Sequence, residues 1–332
     1  MAGLRAAAQF LKQTDNILVL CHQFPDGDTL GSAFALCRAL QQIGKHAAVA
    51  CSHEPGRQYR FLEDAVKRES FSPRAVVTVD VAAPSLLGEP ILSRYGGRVD
   101  LCLDHHASRQ PYARLTYVDT SAAAAAEVIY ELIPLLGAVV DEPAAACLYT
   151  ALITDTNGFR LPNTTPRTMR IAADLMERGV DAARLNRLLL DLKSRGFLEL
   201  ERRALGSLRY FFGGLCAAVC LTREMIDACG VRDEETDPLP ALPRQVEGVL
   251  VGVTLREKQN GDYRVSLRTQ SGLNAAQICE RFGGGGHPSA AGCTIRRPEG
   301  ADPCGTALRR IVEAVGDSLR GHGIHAKEGE TQ

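Results

Sequence analysis

Apolar positions in the first half of the chain fall into short continuous blocks, separated by longer stretches with helical spacing. Asn16-Ile-Leu-Val-Leu-Cys21 is such a block. It has the form of a strand buried on both faces. Thr29 to Ile43 follows with helical periodicity and is closed by Gly44. The next strands expected are Ala47 to Cys51, Ala75 to Asp80 and Val99 to Asp104, with a short helix from Arg57 to Leu62 between the first two. Helices are expected over Ala122 to Leu136, Glu142 to Thr154 and Thr165 to Arg178. Strands alternating with helices predict an α/β fold with a doubly wound, mostly parallel sheet, whose ligands bind beyond the carboxyl ends of the strands.

Residues 181–212 carry a leucine stripe among charges (Leu185, Leu188, Leu189, Leu192, Leu200, Leu208) and read as helical. After Gly214 the pattern changes. Leu215 to Leu221 is strand-like, and residues 232–245, rich in acids and prolines, form a loop. Val249 to Leu255 and Tyr263 to Arg268 flank Asn260-Gly261, a strong hairpin signal. A helix at Asn274 to Arg281 runs into Gly283-Gly-Gly-Gly-His287-Pro288. A strand at Ala291 to Ile295 and a helix at Gly305 to Leu319 complete a smaller α+β domain. The expected organisation is a first domain over 1–185, a helical connector over 186–212, a second domain over 213–322 and a polar tail over 323–332.

Composition narrows the function. The chain has 332 residues, 45% of them hydrophobic, and a formal net charge of −1. Proteins that grip long nucleic acid usually show a basic excess, so a polyanionic substrate would be short. No apolar run is long enough to span a membrane and no signal-peptide pattern opens the chain, which predicts a cytoplasmic protein. The 11 cysteines are odd in number and sit mostly in apolar stretches. They read as buried hydrophobes, and the close pair Cys216 and Cys220 lacks the partners of a zinc site.

Chemistry concentrates at the ends of the apolar blocks. His22-Gln-Phe-Pro-Asp26-Gly-Asp28 follows the first strand, Asp80 closes the third, Asp104-His105-His106 closes the fourth, and Asp155 follows Ala151-Leu-Ile-Thr. Together these segments offer enough hard oxygen and nitrogen ligands for two divalent cations, a standard device for displacement at phosphorus. A carboxylate such as Asp80 is costly to bury unless it is paired or metal-bound. Adjacent side chains diverge along a strand. His105 is therefore expected to face the site as a ligand, with Asp104 orienting an imidazole and His106 left for the substrate.

As a set, these motifs resemble the DHH phosphoesterase superfamily, named for the Asp-His-His triplet. The glycine run with His287 is similar to the signature of the associated C-terminal domain in RecJ-like members. The short two-domain layout resembles the branch of oligoribonucleases (nanoRNases) and 3'-phosphoadenosine-5'-phosphate phosphatases. The likeness runs from about residue 15 to 320 and continues through Val118 to Glu127, Leu148 to Thr156 and Phe159-Arg160.

The resemblance implies that His22 and Asp26 hold one metal and that Asp28, His105 and Asp155 hold the other, with Asp80 bridging. Mn2+ is the implied ion, with Mg2+ the alternative. His106 would meet the scissile phosphate or protonate the leaving oxygen, aided by Arg160. Arg264, Ser266, Arg268, Asn274 and Gly284, Gly285, Gly286 and His287 are implied to grip the substrate's terminal phosphate and base, the glycine amides forming an anion nest.

The implied activity is a two-metal phosphodiesterase that cuts short oligonucleotides to nucleoside 5'-monophosphates and removes the 3'-phosphate of adenosine 3',5'-bisphosphate. Its partners would be short RNA or DNA oligonucleotides and small nucleotides, not a membrane, and a homodimer is left open. A phosphodiesterase of linear or cyclic dinucleotides such as pApA would use the same centre. A pyrophosphatase would share the first-domain ligands but not the His287 segment. A non-catalytic nucleic-acid binding module would need a basic face and no such ligand set.

Overall fold

The computed structural model describes residues 3–107, 111–236, 238–270 and 272–324, and divides the chain into two compact units, residues 1–192 and 193–332. In the first unit, α1 (Leu4–Gln13) leads into β1 (Ile17–Leu20), α2 (Gly27–Gln42) and β2 (Ala47–Ala50). A 3-10 helix (Arg57–Ala65) precedes β3 (Ala75–Val79), α3 (Ile91–Tyr95), β4 (Leu101–Asp104) and β5 (Leu115–Val118). The unit ends with α4 (Ala125–Leu136), α5 (Glu142–Asp155), α6 (Pro166–Glu177) and α7 (Ala182–Asn186). The strands form one parallel sheet in the order β2-β1-β3-β4-β5.

The continuous apolar runs exist because both sheet faces are covered. Ile17 and Val19 of β1 enter the larger core with α1, α2, α4 and α5, whereas Leu18 and Leu20 pack with Val76, Leu87, Ile91 and Tyr95 on the other side. The chain leaves β1 for β2 on one side and returns to β3 on the other, which makes the carboxyl ends of β1 and β3 the switch point where such sheets bind ligands. Helices α2 and α5 approach closely. A Cβ on Gly27 would lie 2.3 Å from Thr154 Oγ1, and one on Gly31 would lie 2.3 Å from the Cys147 carbonyl oxygen. This approach sets the start of α2 beside the end of α5.

The second unit begins with α8 (Arg195–Gly206) and β6 (Arg209–Phe211), followed by β7 (Cys216–Leu221) and α9 (Arg223–Ala228). Short 3-10 turns lead to β8 (Val251–Glu257) and β9 (Tyr263–Thr269). The unit continues through α10 (Ala275–Glu280), β10 (Gly285–His287), β11 (Ala290–Ile295) and α11 (Pro303–Gly321). Its sheet runs β10-β11-β9-β8-β7-β6, antiparallel except for the β7–β8 pair. Gly261 takes the left-handed backbone (φ 81°) that the β8–β9 hairpin turn requires.

The α/β architecture expected from the sequence is present, with local corrections. β5 and α3 had no prediction. Helix is interrupted after α7 by a π-helical turn at Arg187–Asp191, and Arg209–Phe211 is strand, not the end of a helix. Helix α4 starts at Ala125, because Ala122 and Ala123 turn their carbonyls to His105 and Asn163. The proline-rich stretch 232–245 contains three short 3-10 turns. Most of the expected polar tail, residues 325–332, lies outside the described residues.

Candidate metal centre

Each segment reaches the switch point through its own local chemistry. Beyond β1, Asp26 caps α2, its Oδ1 accepting the amides of Asp28 (3.0 Å) and Thr29 (3.1 Å). Thr29 Oγ1 donates to the Val79 carbonyl at 3.0 Å, tying this turn to the end of β3. Asp28 is 1% exposed and is held from two directions. Its Oδ1 accepts Ser32 Oγ (2.9 Å) and the Ala126 amide (3.1 Å), and its Oδ2 accepts the Ala125 amide at the start of α4 (2.7 Å). Asp80 follows β3 in a left-handed conformation (φ 60°), which Asp tolerates better than most residues.

The triplet after β4 divides by role. Asp104 is fully buried, and its Oδ1 accepts the His105 amide (2.8 Å) and His106 Nδ1 (2.8 Å). His105 Nδ1 donates to the Ala122 carbonyl at 3.2 Å, so its Nε2 is the nitrogen left with a lone pair for a cation.

The structure brings His22, Asp26, Asp28, Asp80, His105 and Asp155 together. His22 Nε2 lies 3.6 Å from Asp26 Oδ1 and 3.8 Å from Asp80 Oδ2. His105 Nε2 lies 3.7 Å from Asp28 Oδ2, 3.5 Å from Asp80 Oδ1 and 4.0 Å from Asp155 Oδ2. Two groups of suitable spacing result, His22/Asp26/Asp80 and Asp28/His105/Asp155. Asp80 belongs to the first and presents its other oxygen to His105 of the second. A third group, Asp80/His105/His106, also has suitable spacing. It is the weaker candidate, because the His106 nitrogen it uses, Nδ1, already bonds Asp104.

Electrostatics favours cations here. Burial, then the Asp155 carboxylate, pushes the Asp28 carboxyl up to about 7. Burial, then Asp28 and Asp26, raises Asp80 well above the usual carboxylate range, and burial raises Asp155. The Asp104 hydrogen bond raises His106. Asp80 Oδ1 is buried with no hydrogen-bond donor in reach, an expensive arrangement without a positive partner. Crowded acids, an orphaned carboxylate oxygen and imidazoles with fixed tautomers fit a pair of hard divalent cations.

Residues that the sequence did not single out support this cluster. Asn163 Nδ2 donates to the Ala123 carbonyl (2.9 Å) and the Asp155 carbonyl (3.2 Å), and lies 3.4 Å from Asp155 Oδ2. Ser32 stands one helical turn after Asp28, the spacing that could have flagged it. Asn163 carried no signal, since only the fold brings it back to Asp155. Arg160 is not drawn toward the carboxylates. It is exposed, and its guanidinium folds onto Asn157, at 2.8 Å from the carbonyl and 3.0 Å from Oδ1. The turn through Asn157, Gly158 and Phe159, all left-handed, places it there.

In the second unit, Arg264, Ser266 and Arg268 line one pocket with Thr254, Arg256 and Thr236. Register explains this: Arg268 pairs with Gly252, Ser266 with Thr254, and Arg264 with Arg256. The same rows extend to Ala290 and His287, and to Gly292 and Gly285. Paired residues share a sheet face, so His287 and Gly285 belong to this polar face. Asn274 caps α10, its Oδ1 accepting the Gln277 amide at 3.2 Å. The glycine run is not an open nest. The amides of Gly283 and Gly284 close α10 on Glu280 and Cys279, and Gly285–His287 is an edge strand. Gly284 and Gly286 admit no Cβ against β11, whereas a Cβ on Gly285 would meet nothing.

Residues 16–152 match the DHH family N-terminal domain and residues 230–321 match the DHHA1 domain. The chain is 36% identical over 326 residues to the bifunctional oligoribonuclease and PAP phosphatase NrnA of Thermus thermophilus, covering 95% of this chain and 94% of that protein. The chain belongs to the DHH family. An exopolyphosphatase-related protein from Bacteroides fragilis superposes with a TM-score of 0.81 at 19% identity, covering 96% of both chains. The exonuclease RecJ bound to manganese gives a TM-score of 0.56 at 15% identity, covering 96% of this chain and 97% of that one. These structures share the fold of this DHH chain. Among the described residues, no helix is long and apolar enough to cross a membrane.

Proposed function

We propose that this DHH-family chain is a metal-dependent phosphodiesterase that hydrolyses short oligonucleotides to nucleoside 5'-monophosphates and removes the 3'-phosphate of adenosine 3',5'-bisphosphate. The observation that carries this reading is Asp80, whose two oxygens face the two ligand groups from one buried position. His22, Asp26 and Asp80 would hold one cation, and Asp28, His105, Asp155 and Asp80 the other. Two such ions, Mn2+ or Mg2+, supply charge neutralisation at phosphorus and acidify water at neutral pH.

The remaining work falls to the chain's own side chains. Asp104 fixes His106 through Nδ1, which presents Nε2 for a phosphate oxygen or for proton delivery to the departing ribose oxygen. Ala122 fixes the His105 tautomer, while Ser32 and the α4 amides orient Asp28. Arg264, Ser266, Arg268 and His287 on the polar strand face are the proposed contacts for the substrate's terminal phosphate and base. The match to NrnA over nearly the full length of both chains supports this substrate class, and a net charge of −1 favours short polyanions.

The test is a panel of 5'-labelled dinucleotides, longer RNAs and DNAs, pApA and adenosine 3',5'-bisphosphate, assayed with Mn2+ and with Mg2+. Dinucleotides and the bisphosphate should be turned over fastest. Equal rates on long RNA would overturn the short-substrate proposal, and no cleavage of any member would overturn the enzymatic one.

A further inference from the structure

Phe24 stands between two residues of the metal cluster, His22 and Asp26, yet it is 65% exposed. A phenyl ring left in water gives up the stabilisation that burial supplies, so the fold gains little from ordering it there. The ring nonetheless has a partner. It stacks on the His53 imidazole with centroids 5.2 Å apart and planes 22° from parallel.

The support on both sides of Phe24 is stiff. His53 Nδ1 donates to the Gln23 carbonyl at 2.5 Å, and the Gln23 amide donates to the Leu86 carbonyl at 2.6 Å. Cys51 Sγ donates to the His22 carbonyl at 3.1 Å. Pro25 restricts Phe24 to extended backbone. Gly88 leaves room for Gln23, whose side chain would lie 2.6 Å from any Cβ there.

An exposed aromatic ring, backed by a second ring and fixed beside a phosphate-processing cluster, has the form of a stacking platform. Phe24 Cα can be no more than about 7 Å from the Cα atoms of His22 and Asp26, since two residues of chain span no further. That is the range in which a nucleotide carries its base from its phosphate. Phe24, His53 and the half-exposed Leu86 make too small a patch for a protein partner. Stacking on a π-face is indifferent to base identity, which suits an enzyme of mixed short oligonucleotides.

We propose that Phe24, backed by His53, is a nucleobase-stacking subsite that holds the base next to the scissile phosphate. The proposal rests on the phosphodiesterase reading above and adds a base-holding residue to it.

The chain contains no tryptophan, so Phe24→Trp installs a single emission reporter at the platform. With Mg2+ present, adenosine 5'-monophosphate should quench that emission and ribose 5-phosphate should not. In turnover of pApA, Phe24→Ala and Phe24→Leu should raise KM about tenfold, within the range of one base–aromatic stack. Their kcat should stay within about twofold and Phe24→Trp should retain the wild-type KM. Equal quenching by both probes, no quenching by either, or a loss confined to kcat would overturn the subsite. If the wild-type protein hydrolyses no nucleotide, the enzymatic reading fails, and the emission titration still decides whether a base stacks on residue 24.

Discussion

His106 Nδ1 donates a hydrogen bond to Asp104 Oδ1 at 2.8 Å, and Asp104 is itself fully buried at the end of β4. Asp104 therefore reaches the site through the ring it holds and, by accepting the His105 amide at 2.8 Å, through the backbone of a ligand residue. Asp104→Ala would free the imidazole to rotate and change tautomer. We expect kcat to fall by about 10²–10⁴-fold, the range of a lost general acid, with Mn2+ affinity by calorimetry changing far less. A variant that loses metal affinity and turnover together would show that Asp104 supports the ligands and not the proton donor.

Asp80 trades stability for function. Its Oδ1 is buried without a donor and lies among other carboxylates. Without metal, Asp80→Asn removes a charge from this crowd, and the metal-free variant should unfold later than wild type, by about 1 kcal/mol or more. Added Mn2+ should raise the wild-type melting temperature by mass action and leave the variant's nearly unmoved, and Asp80→Ala should abolish turnover. A metal-free Asp80→Asn protein less stable than wild type would contradict this account of the cluster.

The legible parts of the fold and site were those whose signal is local. The runs ending at Cys21, Asp80 and Asp104 are continuous because β1, β3 and β4 are covered on both faces, and polar residues at their ends mark the switch point. β5 escaped because Leu115–Val118 is only half-buried throughout and breaks no pattern. β10 escaped because glycines have no side chains to alternate, so Gly285 and Gly286 look like a loop until β11 pairs with them. Asn163 escaped because its purpose is a contact with Asp155 that only the completed turn after α5 creates. Sequence proximity to Asp155 does not fix where the long Arg160 side chain points, and here it folds onto Asn157.

Gly31 should be as sensitive as the ligands, though it touches none of them. A Cβ there would sit 2.3 Å from the Cys147 carbonyl oxygen and 3.0 Å from the Ala151 Cβ, forcing α2 away from α5. Gly31→Ala should lose about 1–3 kcal/mol to overpacking and also weaken Mn2+ binding, because Asp28 and Asp155 ride on those two helices. Gly206→Ala is the matched control. Its Cβ would meet nothing within 4 Å in α8, so a gain of about 0.4–1 kcal/mol is expected. Urea midpoints of the two variants decide the comparison, and a Gly31→Ala protein as stable as wild type would refute the close approach.

Asn163 gives the sharpest test of how the second ligand group is held. Its amide joins the Ala123 carbonyl before α4 to the Asp155 carbonyl at the end of α5, and reaches Asp155 Oδ2 at 3.4 Å. Asn163→Ala would leave these acceptors without that donor and let the Asp155 carboxylate swing. Outer partners of metal ligands typically contribute about 10–100-fold to affinity. The expected result is a loss of that size at one of the two Mn2+ sites, resolved by calorimetric titration as one weakened and one unchanged binding step. Equal weakening of both steps would mean that Asn163 holds the whole rim of the site and not Asp155 in particular. Two unchanged steps would mean that the α5 terminus is fixed without it.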